Sequence, residues 1–92
     1  MRFQSNIGPF STQEESLAEM LAHGPENNWV EVPEERFVRL LQAFALTNSG
    51  NANPTEIDLQ CEFEVLDDYF DVHAVQGRYF VQAGILAALL PA

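Results

Sequence analysis

The sequence predicts an α+β fold: two helices packed on one face of a three- to four-stranded, mainly antiparallel sheet, whose C-terminal part is a β-meander. Three observations predict it. Segments 11–23 and 33–45 carry apolar residues at helical spacing between recognisable start and stop signals. Residues 56–66 alternate apolar and polar side chains, the pattern of a strand with one buried face. Residues 69–75 and 78–83, separated by Gln76-Gly77, place apolar side chains opposite one another when paired as a hairpin. The 92 residues are read as one domain, 1–92. A chain of this size buries roughly 60–65% of its unfolded surface, enough for a modest core without staples.

The elements follow in order. Met1, Phe3 and Ile7 alternate weakly with Arg2, Gln4 and Asn6, a pattern compatible with a short strand that Gly8-Pro9 ends. Ser11-Thr12-Gln13-Glu14 reads as a capping box, and Thr12 with Glu15 serves equally. Leu17, Met20 and Leu21 continue that helix, and Gly24-Pro25 stops it. Trp29–Val32 is short and rich in strand formers, an edge strand or an extended lead-in. Pro33 suits the first position of a second helix, in which Phe37, Leu40, Leu41, Phe44 and Ala45 form one apolar stripe. The polar segment Thr47–Thr55 is a loop.

In the expected strand at 56–66, Ile57, Leu59, Cys61, Phe63 and Val65 point inward. Glu56, Asp58, Gln60, Glu62 and Glu64 point outward. Two-residue loops at Asp67-Asp68 and Gln76-Gly77 then set a register in which Val65 faces Phe70, Phe63 faces Val72 and Cys61 faces Ala74. Across the second hairpin Ala74 faces Tyr79, Val72 faces Val81 and Phe70 faces Ala83, all apolar or amphipathic. The tail 85–90 closes one end as a short helix or an extended segment.

Composition excludes several functions. There are 14 acidic residues against four arginines (Arg2, Arg36, Arg39, Arg78) and no lysine, a formal net charge of −10. Direct nucleic-acid binding is not expected, because phosphate affinity comes mainly from Lys and Arg. Schiff-base chemistry on lysine is impossible. The single Cys61 permits no internal disulfide, which suits a reducing cytosol. The N-terminal residues contain no apolar run of signal-peptide length, and the longest apolar stretch, 85–90, falls far short of a membrane span. A soluble, cytoplasmic protein is expected.

The charge is concentrated. Seven of the 14 acidic residues fall between Glu56 and Asp71, and the last 21 residues contain none. In the expected register the polar face of the sheet carries the outward carboxylates beside Asp71, His73 and Val75, then Arg78, Phe80 and Gln82. Glu62 faces His73 as an ion pair, and Glu64 faces Asp71 as a like-charge pair that costs stability. The bland alternative is a solvated face screened by salt. The sharper reading is a partner-binding surface made of Glu56, Asp58, Glu62, Glu64, Asp67, Asp68, Asp71 and His73, which steers onto a basic protein or ribonucleoprotein surface. A metal held by Glu62, Glu64, Asp71 and His73 is a further alternative, disfavoured because side chains on a flat sheet diverge. No cofactor is expected.

Catalytic chemistry finds little footing. Cys61 reads as an inert core thiol, His23 as a helix cap, and His73 as a base with no Ser or Cys near it. Phe80, Val75, Trp29 and Tyr69 are candidate exposed anchors beside the charge. In size and acidity the chain resembles phage-encoded inhibitors such as anti-CRISPR and anti-restriction proteins, a likeness of type with no alignable motif. The expected function is a non-enzymatic inhibitor docking on a basic, nucleic-acid-binding surface. The alternative is an assembly or accessory subunit that binds through Trp29 and the apolar tail, with the acid only solubilising.

Overall fold

The computed structural model describes residues 3–91. Helix α1 (Gln13–His23) leads through a 3-10 turn at Pro25–Asn27 into strand β1 (Trp29–Val32). Helices α2 (Glu34–Ser49) and α3 (Glu56–Asp68), strands β2 (Val72–Val75) and β3 (Arg78–Gln82), and the short α4 (Ala83–Leu89) follow. The three strands form one antiparallel sheet in the order β1-β3-β2. The α+β class and the C-terminal hairpin therefore stand.

The hairpin register is the one the apolar pairs demand, with Val72 opposite Val81 and Ala74 opposite Tyr79. Gln76 and Gly77 both have positive φ, 51° and 74°. That is the backbone of a two-residue turn whose twist matches its strands. Beyond Val72 the ladder stops, so the expected pairing of Phe70 with Ala83 does not form. β1 takes the other side of β3, with Val32 opposite Tyr79, and makes β3 the central strand.

The largest correction concerns 56–66, which is helix α3 rather than a strand. Three physical reasons decide it. Thr55 and Asp58 form a reciprocal capping box, in which the Thr55 hydroxyl accepts from the Asp58 N–H and the Asp58 carboxylate accepts from the Thr55 N–H. Glu and Asp at alternate positions are poor strand formers. Leu59, Phe63 and Leu66 stand at i, i+4 and i+7, a helical stripe that the period-2 reading hid, and all three are buried. The expected pairs of Val65 with Phe70, Phe63 with Val72 and Cys61 with Ala74 are therefore absent.

One sheet face, carrying Val32, Val72, Ala74, Tyr79 and Val81, packs against Phe37, Leu40 and Leu41 of α2 and Leu59, Phe63 and Leu66 of α3. Two helices do cover that face, but they are α2 and α3. Phe3 completes this core, with its ring centroid 5.6 Å from Phe37 and 5.2 Å from Phe63, and Phe37 stacks on Tyr79 at 4.8 Å. Alternation along the strands puts His73, Val75 and Phe80 on the opposite face. There α1 meets β2, linked through Ser16 and His73.

Residues 3–7 form no strand, and Met1 and Arg2 of the expected one lie outside the described residues. Ser5 alone ties this segment to the free edge of β2. Its N–H donates to the Ala74 carbonyl (2.7 Å) and its hydroxyl accepts from the Ala74 N–H (2.8 Å). The α1 cap is Thr12, whose hydroxyl accepts from the Glu15 N–H. α2 runs past Ala45 to Ser49, where Gly50, in the left-handed region, ends it.

Candidate functional site

The strand-to-helix change redistributes every residue expected to bind a partner. Successive residues on a helix are ~100° apart, so residues two apart stand about 200° apart, almost on opposite sides. Alternation on α3 therefore makes two apolar stripes. Leu59 and Phe63 face the core, whereas Ile57, Cys61 and Val65, at i, i+4 and i+8, face outward. Ile57 is 76% exposed and Val65 39%. Cys61 is thus an exposed thiol, not the core residue its alternation suggested.

Carboxylates flank the outer stripe on both sides. Glu56 and Glu64 are exposed on one side of it, and Asp68 is exposed in the last turn in line with the stripe, the three spanning roughly 18 Å of the axis at ~1.5 Å per residue. On the other side Asp58 and Glu62 are half-buried and engaged. Asp58 caps the helix and also accepts from Asn51 Nδ2 (3.1 Å), and the Thr55 N–H holds its pKa below the usual carboxylate value. Glu62 Oε1 accepts from the Ser49 hydroxyl at 3.4 Å, and its Oε2 is buried and meets no donor among the described residues.

The pairs expected across the sheet are absent. Glu62 does not face His73, and Glu64 does not face Asp71, because Glu62 and Glu64 lie on α3 and His73 lies under α1. The square of Glu62, Glu64, Asp71 and His73 as metal ligands is therefore not assembled. Arg78 makes a two-pronged ion pair with Glu31 across β1 and β3, at 2.7 and 2.8 Å, and the Arg78 hydrogen bonds lower the Glu31 pKa. It neutralises none of the α3 acids. Val75 and Phe80, expected on an open polar face, are buried.

At the C-terminal end of α3 three unfavourable features coincide. Asp67 and Asp68 occupy the last turn, the negative end of the helix dipole, with no basic residue there to offset them. The Phe70 N–H bonds the Asp67 carbonyl (3.0 Å) and the Asp71 N–H bonds the Leu66 carbonyl (2.9 Å), a Schellman ending. That motif puts Phe70 in the left-handed region, at φ 58°, where glycine is the usual residue. Finally, Phe70 is 80% exposed and Tyr69 74%. Such strain persists only where surrounding structure imposes it, and it clusters at functional sites.

Beside this end lies a cleft of about 360 Å³ between the 6–10 segment, α1, β1 and the start of β2. Asp67, Asp68, Phe70 and His73 are on its walls, with Trp29 and Phe10. The Asp67 carboxylate accepts from the Ser5 hydroxyl at 2.6 Å. His73 Nε2 is 2.8 Å from Ser16 Oγ, and the imidazole lies edge-on to Trp29 at 6.4 Å. Burial lowers the His73 pKa, against the pull of the Asp67 charge. The Ser16 contact corrects the expectation that no serine lies near His73. Ser16 is fully buried, and the pair links α1 to the sheet. Asp71 is half-buried, and desolvation raises its pKa.

Of the eight expected residues, Glu56, Glu64 and Asp68 are exposed, Asp67, Asp68 and His73 meet at the cleft, Asp58 and Glu62 are hydrogen-bonded within the fold, and Asp71 is half-buried before β2. Sequence reasoning missed Ile57, Val65 and Phe70. The i, i+4, i+8 spacing of Ile57, Cys61 and Val65 was visible but was absorbed into the strand pattern. Nothing local marked Phe70. No family model matches the chain, and neither the curated proteins nor the solved structures searched contain a match. Among the described residues no helix is long and apolar enough to cross a membrane.

Proposed function

We infer that this chain is a non-enzymatic binding protein that docks on a basic protein surface through the outer face of α3. The observation that carries the reading is the apolar stripe Ile57–Cys61–Val65, left uncovered in a chain of net charge −10 and edged by Glu56, Glu64 and Asp68. A helix that lays three apolar anchors at i, i+4 and i+8 into a groove is a recurrent recognition mode. Carboxylates at its edge select a groove with a basic rim and speed the encounter. In its most concrete form the partner is a nucleic-acid-handling protein, and the chain is an inhibitor covering its phosphate-binding surface, as phage anti-defence proteins do. A cytoplasmic setting, where Cys61 stays reduced, belongs to the same proposal.

The exposed stripe with Tyr69 and Phe70 also favours a second reading, an assembly subunit whose contact is apolar and whose acid only solubilises. Salt separates the two. Affinity capture is compared for the wild type, Val65→Lys and the double variant Glu64→Lys/Asp68→Lys. These sites are exposed, so the fold is spared, whereas Glu62 is half-buried and would confound the test. The docking reading expects a partner lost about tenfold in both variants and released as salt rises. A partner lost with Val65→Lys alone and indifferent to salt supports the subunit reading. Capture unchanged in both variants overturns the α3 face.

A further inference from the structure

The cleft at the C-terminal end of α3 carries a more specific statement about the partner, one that rests on the docking reading above. We propose that this cleft receives an arginine side chain projecting from the partner's basic surface. Its walls combine two chemistries. Phe10, Trp29 and Phe70 contribute aromatic surface, and Asp67 and Asp68 contribute carboxylates. Among the described residues no arginine lines it, the chain has no lysine, and His73 is the one basic side chain on its walls. The volume, about 360 Å³, lies at the small end of the ~300–1,000 Å³ range of ligand pockets. It suits one long side chain rather than a folded ligand.

Each candidate occupant meets a different obstacle. An aliphatic side chain would leave both carboxylates facing an apolar neighbour. A quaternary ammonium would gain from the aromatic faces but has no N–H for the carboxylates. A lysine ammonium is compact and strongly hydrated, and it loses that hydration against aromatic walls. Arginine is the cation that suits both chemistries. Its guanidinium is weakly hydrated, stacks on aromatic faces and presents planar pairs of donors to a carboxylate. The fixed parts of the site also fit a cationic guest. Ser5 donates to Asp67 Oδ1 and orients that carboxylate, and the half-buried His73, its pKa lowered by desolvation, favours the neutral form there. The left-handed Phe70 stands at the lip, where a ring can close over a bound side chain.

The test uses the full-length, isotope-labelled protein and follows backbone and indole N–H resonances. The added probes are N-acetyl-arginine amide, its lysine and leucine counterparts, and tetramethylammonium. Arginine amide is expected to shift the Trp29 indole N–H and the Phe70 amide saturably, with lysine amide binding about fivefold more weakly. Asp68→Asn, at an exposed position that leaves the fold intact, is expected to weaken arginine binding about threefold. Equal saturation by lysine amide, tighter binding of leucine amide or tetramethylammonium, or no saturable shift overturns the assignment. If arginine amide fails while capture stays sensitive to Val65→Lys, the cleft assignment falls and the docking face stands. If arginine amide binds as expected while capture ignores Val65→Lys, the docking face falls and the cleft remains an arginine site.

Discussion

α2 and α3 lie side by side on the same sheet face, yet they are built on different patterns. α2 has one apolar stripe, Phe37, Leu40, Leu41 and Ala45, all buried, and a Gly50 ending in which the left-handed residue has no side chain to strain. α3 has an inner stripe, Leu59, Phe63 and Leu66, and an outer one, Ile57, Cys61 and Val65. It ends on Phe70 in the conformation that α2 assigns to glycine. α2 leaves one large apolar side chain in solvent, Leu46, whereas α3 sets a second row of them there and ends on an exposed aromatic residue. The difference teaches that a residue's apolar character locates a core only when the period of the whole element is known.

The comparison can be broken most forcefully at the inner stripe. Phe63→Ala is expected to cost about 3–5 kcal/mol in denaturant unfolding, as is Phe37→Ala, because both rings sit in one aromatic cluster. A cost below about 1 kcal/mol for Phe63 would place it outside the core and overturn the inner stripe of α3. The ends of the helices sharpen the contrast. Phe70→Gly is expected to raise stability by about 1 kcal/mol by relieving the positive φ, while weakening partner capture. Destabilisation there would mean that the ring packs rather than waits for a ligand.

A smaller effect is expected at His73, on the sheet face away from both helices. Its pKa is lowered from 6.5 by burial, so the unfolded chain takes up a proton that the folded chain resists. The contribution of His73 is therefore full above about pH 6.5 and is lost as pH falls through the lower folded-state value. Asp71, raised by desolvation, acts in the opposite sense, contributing stability at low pH that is lost as pH rises through its folded value. Subtracting the unfolding profile of His73→Asn from that of the wild type cancels Asp71 and leaves the His73 slope. Parallel profiles would contradict a neutral, half-buried imidazole bonded to Ser16. The smallest effect is expected at Ile57→Ser, within about 0.5 kcal/mol, since the side chain is 76% exposed. A large loss would show that the outer stripe packs within the chain.

Much of the fold was legible because local signals agreed with one another. Thr12 and the Gly24-Pro25 stop bound α1, Pro33 and a single stripe declare α2, and Gln76-Gly77 sets the β2–β3 register. Residues 56–66 were not legible by alternation, since two apolar stripes on opposite sides of a helix have the same period as one face of a strand. The Thr55–Asp58 capping box was the local signal that separates the two readings. The candidate site was legible in part. The acid between Glu56 and Asp71 was evident, but its geometry followed from the helix, and the cleft joins residues from Phe10 to His73 that no local pattern connects.

The sequence by itself determined the acidic character, the α+β class, the boundaries of α1, the start of α2 and the hairpin register, because each depends on composition or on residues close together in the chain. Only the tertiary structure decided that α3 faces the core with Phe63 rather than Val65, that β1 completes the sheet beside β3, and that Asp67, Trp29 and His73 share one cleft. Those outcomes depend on which surfaces can be buried together, a free energy summed over distant residues that neighbouring positions do not encode.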